Sequence, residues 1–169
     1  MSFADRLIRT GKLPPVILIV PDDTAGFGYP AALALDLVPY VDGKFRTIPE
    51  RQDRGVAGIS AGGAVAARLA FQYPDEFGSL GILSGGIATG EVGPFEKWIN
   101  AASSGNMPRI RIDVGDQDSG ILPLTRNLVD ILDRDKLSYL FNIGHGNHDW
   151  TFWSPLMESY LLWFAEAWK

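Results

Sequence analysis

One serine set between glycines, two histidines in a late loop and a group of loop aspartates are the side chains of this sequence whose spacing could do chemistry. The serine is Ser60, in Gly58-Ile59-Ser60-Ala61-Gly62. A serine hydroxyl is a poor nucleophile unless it is held clear of the backbone beside a base, and a sharp turn from strand into helix does that holding. The flanking glycines and the small Ala61 remove the side chains that would clash in such a turn. The base must be a histidine, and both histidines of the chain fall in Gly144-His145-Gly146-Asn147-His148-Asp149-Trp150. The base in turn needs a carboxylate to fix its tautomer and stabilise the imidazolium that forms when it takes the serine proton. Asp116 and Asp118, in Gly115-Asp116-Gln117-Asp118, are both candidates, and either could instead cap the helix that follows. Asp113 reads as a strand residue, solvent-facing or paired.

These residues need a scaffold. Residues 54–58 read as a strand entering the serine turn, and residues 63–70 as an alanine-rich helix able to pack closely on a sheet. Upstream, residues 3–9 form a short amphipathic helix ended by Gly11, and Pro14-Pro15 launch an extended run. Residues 16–20 are apolar on both faces, as in a buried parallel strand. A turn-rich loop over 21–30 and a helix over about 32–41 follow. Strands are expected over 79–84, 109–114 and 138–142, the middle one near the sheet edge because its charges alternate. Helices are expected over 94–102, 122–134 and 154–168. In the last of these, Leu156, Tyr160, Trp163 and Phe164 make a core face. Alternating strands and helices predict an α/β fold of about five mainly parallel strands flanked by helices, with its site at the carboxyl ends of the strands. Phe27, Tyr29 and Trp150 are expected around the mouth of that site, whereas Phe152 and Trp153 read as the start of the final core face.

Composition narrows the function. With 46% hydrophobic and 21% charged residues, residues 1–169 read as one soluble domain. A net charge of −5 argues against nucleic acid or an anionic membrane as partner and favours a small molecule. The absence of cysteine excludes disulfides, thiol nucleophiles and thiolate metal sites. Two histidines separated by Gly146-Asn147 do not make a metal pair without further ligands, so no metal and no cofactor are expected. No long apolar run or leader pattern is visible, which makes the cytoplasm the default expectation.

The order serine, aspartate, histidine is that of the α/β hydrolases. Beyond order, Leu13-Pro14-Pro15-Val16-Ile17-Leu18-Ile19-Val20-Pro21-Asp22, Asp36-Leu37-Val38-Pro39-Tyr40-Val41-Asp42, Phe45-Arg46-Thr47-Ile48-Pro49, the serine motif and Tyr73-Pro74-Asp75-Glu76-Phe77-Gly78 resemble an esterase family of that fold. Its members include enterochelin esterase-like enzymes, feruloyl esterases, S-formylglutathione hydrolases and mycolyltransferases. Asp113-Val114-Gly115-Asp116-Gln117-Asp118 and His148-Asp149-Trp150-Thr151-Phe152-Trp153 are similar to the family's acid and histidine segments. The resemblance implies Ser60 as nucleophile, Asp118 as acid and His148 as base, with Asp116 and His145 as the second choices. It also implies that relatives carry three earlier strands which have no counterpart in this chain, a truncated α/β-hydrolase fold.

The family's oxyanion hole takes one N–H from the residue after the nucleophile, here Ala61, and a second from a loop after the missing third strand. Residues 16–20 are therefore expected to pair beside the serine strand, bringing a backbone N–H of Asp22, Asp23 or Thr24 to the oxyanion. An uncovered sheet edge is further expected to drive homo-oligomerisation, as a dimer. The implied activity is hydrolysis of small soluble carboxylic esters through an acyl-enzyme, with Trp150 as a pocket wall. The alternatives are a catalytically weak remnant acting as a binding or assembly module, and an acyltransferase.

Overall fold

The computed structural model describes residues 3–21, 29–102 and 105–168. Helix α1 (Phe3–Arg9) buries Ala4 and Leu7 and ends where Gly11 turns with a φ of 70°. Helix α2 (Tyr29–Ala32) runs through a π-helical turn (Leu33–Leu37) into α3 (Val38–Lys44). Pro39 explains the slip, since it has no N–H to give the carbonyl of Leu35 and its ring crowds that carbonyl. Strand β1 (Gly55–Ile59), helix α4 (Ala61–Gln72), β2 (Ser79–Leu83), α5 (Val92–Ala102), β3 (Arg109–Gly115), α6 (Leu122–Arg134) and β4 (Leu140–Gly144) then alternate. Helices α7 (Trp150–Trp153) and α8 (Leu156–Ala165) end the chain, parted at Pro155.

The sheet has four parallel strands in the order β1-β2-β3-β4. Ile59 lies opposite Leu83, Leu83 opposite Asp113, and Gly115 opposite Gly144, so the loops after all four strands open on one rim. One face is covered by α4, α5 and α6, where Phe71, Phe95, Ile112, Leu128 and Ile131 are buried with the alanines of α4. Fully burying each such large side chain is worth about 1.5–3 kcal/mol. Trp153, Tyr160, Trp163 and Phe164 cover the other face. Gly81 permits that layer to lie close, because a Cβ there would stand 2.8 Å from the Tyr160 ring.

Two expectations are corrected. Residues 16–20 do not form a fifth strand beside β1. They make no backbone hydrogen bond among the described residues, and β1 pairs with β2 alone. The run is apolar enough for a buried strand, but a strand also needs a neighbouring edge, and Val16 instead packs with Leu7 and Leu13 beside α8. The rest of the run meets solvent, with Ile17, Leu18 and Ile19 about half exposed and Val20 92% exposed.

The alternating charges of β3 do not mark a sheet edge either, since β3 lies between β2 and β4. Arg111 and Asp113 face α8 as a polar cluster rather than facing water. Arg111 Nε donates to Asp113 Oδ2 at 2.9 Å, and its guanidinium stacks 4.1 Å from the Tyr160 ring centre. Asp113 also accepts from the Tyr160 hydroxyl at 2.8 Å and from Asn142 Nδ2 at 3.2 Å. Burial, reinforced by the Asp113 charge, pushes the Tyr160 phenol far above its ordinary range, so it stays a donor.

Candidate active site

Ser60 sits between β1 and α4 with φ 57° and ψ −123°, a conformation that costs about 1–3 kcal/mol and persists only where its surroundings impose it. Three contacts impose it here. Ser60 N–H donates to Leu83 O at 2.9 Å, Gly63 N–H donates to Ser60 O at 3.0 Å, and the start of α4 lies so close to β1 that a Cβ on Gly58 would meet Gly62 O at 2.0 Å. The turn therefore lifts the hydroxyl off the rim of the sheet. Ala61 begins α4, so its N–H belongs to the first turn, where amides lack intrahelical partners.

His148 arrives from the loop after β4. Asp149, next along, caps α7 by accepting from the amides of Thr151 at 2.9 Å and Phe152 at 3.2 Å, which fixes where the loop ends. His148 Nε2 lies 2.8 Å from Ser60 Oγ, and Nδ1 lies 2.7 Å from Asp118 Oδ2. Asp118 is buried, and its Oδ1 accepts from Ile121 N–H at the head of α6. A carboxylate only accepts, so the ring proton belongs on Nδ1, which leaves Nε2 bare to take the proton of the Ser60 hydroxyl. The side of the imidazole is fixed by Trp153, edge-on at 4.9 Å. Trp153 Nε1 in turn donates to Ser84 Oγ at 2.9 Å.

Of the residues singled out from sequence, Ser60, His148 and Asp118 are brought together. Asp116 and His145 form a separate exposed pair at 3.1 Å, and neither bonds to Ser60. The amide of Gly146, with help from His145, holds the Asp116 carboxyl below its ordinary range. Trp150 is 64% exposed and edge-on to Trp153 at 5.5 Å. Asp22, Asp23, Thr24 and Phe27, and with them the expected second oxyanion donor, lie outside the described residues. Tyr29 is buried at the start of α2 and lines an open apolar groove of about 440 Å³ with Leu33, Leu37 and Tyr40. Among the described residues no group of three or more His, Asp or Glu could hold a metal ion, and no helix is long and apolar enough to cross a membrane.

Sequence reasoning missed Ser84 and the polar half of Trp153. The signal for Ser84 was its place after β2, directly before Gly85-Gly86, which mirrors Ser60 after β1. Like Ser60 it has a positive φ, here 43°.

The comparisons agree with this geometry. The family described as "Putative esterase" matches residues 27–164. The uncharacterized protein YjcH of Bacillus subtilis (strain 168) is 27% identical over 151 residues, 81% of this chain and 60% of its own length. An endo-1,4-beta-xylanase/feruloyl esterase of Xylanibacter ruminicola is 31% identical over 94 residues, 48% of this chain and 13% of its own. This chain therefore spans less than two thirds of either curated relative. The structure of a ferulic acid esterase superposes with a TM-score of 0.78 at 20% identity, over 99% of this chain and 76% of that one, a likeness of fold. With the serine turn, the histidine loop and the match over most of its length, the chain belongs to this esterase family of the α/β-hydrolase fold.

Proposed function

We propose that this chain is a serine esterase of small, soluble carboxylic esters, with Ser60 as nucleophile, His148 as general base and acid, and Asp118 as the orienting carboxylate. The observation that carries the reading is the continuous hydrogen-bonded line from Ser60 Oγ through His148 to Asp118, at 2.8 and 2.7 Å. In the first step Ser60 Oγ bonds to the ester carbonyl carbon while its proton passes to His148 Nε2, and the Ala61 N–H receives the oxyanion. Breakdown of the tetrahedral adduct expels the alcohol, which takes that proton. Water, deprotonated by the same imidazole, then releases the acid and restores Ser60.

Residues 1–169 act in this reading as a single domain, and the exposed Trp150 flanks an open acyl site suited to small esters. The curated relative and the solved structure described as feruloyl and ferulic acid esterases make feruloyl esters the first natural class to try. The half-exposed apolar run over residues 17–20 and the unpaired outer edge of β1 support a homodimer that covers them. Hydrolysis of p-nitrophenyl acetate and methyl ferulate by wild type and by Ser60→Ala tests the activity. Wild-type turnover abolished in the variant is expected, and equal rates would defeat it.

A further inference from the structure

We propose that Asp116 is a positioning residue that sets where His148 meets Ser60; its kinetic consequence rests on the esterase reading above. Strands β3 and β4 end in register at Gly115 and Gly144. The loops beyond them stay joined, with Asp116 N–H donating to Gly144 O at 2.8 Å and Gln117 N–H to Gly146 O at 2.9 Å. They run so close that a Cβ on Gly115 would stand 2.3 Å from Gly146 O. The Asp116 side chain adds a further rung. Its Oδ1 accepts from Gly146 N–H at 3.0 Å, and its Oδ2 lies 3.1 Å from His145 Nδ1.

Gly146 lies just before the reach of chain that carries His148, and just beyond His148 the Asp149 carboxylate caps α7. The imidazole thus rides on a short arch with a carboxylate anchor at each end. The two halves of the Asp116 anchor differ in weight. The His145 side chain is 81% exposed, and an ion pair so placed is screened and worth little. The bond from a charged oxygen to the Gly146 amide is the stronger, and it acts on the backbone that carries His148. A displacement of about 1 Å at a reacting group can cost about a hundredfold in rate. With two backbone rungs remaining, loss of the Asp116 rung is expected to cost less, about tenfold.

The test is kcat and KM on p-nitrophenyl acetate together with the low-field proton NMR signal of His148 Nδ1–H, the proton facing Asp118. In Asp116→Ala, kcat falls about tenfold with KM little changed, and the Nδ1 proton signal shifts or broadens. Asp116→Asn, which keeps a neutral oxygen for the Gly146 amide, restores most of both, and His145→Ala leaves both as in wild type. Wild-type kcat and an unmoved proton signal in Asp116→Ala would overturn the assignment. So would Asp116→Asn falling as far as Asp116→Ala, since charge rather than the bond would then be at work.

Should the alanine variant fail to fold, Asp116→Glu keeps the charge but moves the acceptor by a methylene. Positioning predicts the same loss there, and wild-type values would refute it. Should no ester be turned over by wild type, the proton signal alone decides the role of Asp116, so the two readings fail separately.

Discussion

The rim above β3 and β4 and the flank formed by residues 16–20 are built on opposite terms. On the rim, the two loops are tied by backbone bonds at 2.8 and 2.9 Å, and every carboxylate from Asp113 to Asp118 has a partner. On the flank, residues 16–20 make no backbone hydrogen bond among the described residues and expose a run of apolar side chains. The difference separates what the proposed reaction requires from what it does not. His148 and Asp118 hang from strands paired within this chain's own sheet, so their geometry owes nothing to the flank. Ser60 stands at the frontier, on a strand bonded to β2 along one edge only. Its strained turn is held from the β2 side, by Leu83 O and by the start of α4.

The sharpest break of the rim is Asp118→Asn. The amide keeps an oxygen for Ile121 N–H, so α6 starts as before, but the imidazole no longer has a carboxylate for its Nδ1 proton. Turnover of p-nitrophenyl acetate is expected to drop about ten-thousandfold with the fold intact by circular dichroism. A drop of less than tenfold would mean that Asp118 does not orient the base. Next in size is Tyr160→Phe, which takes a donor from the buried Asp113 carboxylate while Arg111 and Asn142 remain. The expected loss is about 1–3 kcal/mol in urea unfolding, with esterase activity retained. An unchanged midpoint would show that water replaces the phenol, and that the cluster is less closed than its burial indicates.

Much of the rim was legible because its signals are local. A serine between glycines, a carboxylate after one strand and histidines after the next each report a turn at a strand end, and parallel pairing then carries them to one rim. What the residues alone left open between Asp116 and Asp118, and between His145 and His148, is a matter of loop register. That register is set by the bonds from Asp116 and Gln117 to the β4 side, which no spacing announces. The flank was misread because hydrophobicity reports that a segment would gain from burial, not that a neighbouring edge exists to bury it. The charges of β3 misled in the same way. Alternating charge suggests an edge, and only Tyr160, far along the chain, shows otherwise by laying its ring over Arg111 and its hydroxyl on Asp113.

The smallest expected effect probes the flank itself. Leu18 is 56% exposed and its backbone is unpaired, so in an isolated chain Leu18→Ser removes little buried area. Its unfolding free energy should stay within about 0.5 kcal/mol of wild type, whereas a leucine fully buried in the core is worth about 1.5–3 kcal/mol. Protein concentration turns this small number into a measurement of the proposed dimer. If a second copy covers residues 16–20, wild type gains stability as concentration rises and Leu18→Ser gains less, so the gap between them widens with concentration and sedimentation shows weaker association of the variant. A large loss that is the same at every concentration would instead show that Leu18 stabilises its own chain. The flank would then contribute to the monomer's stability as the rim does, and its contrast with the rim would disappear.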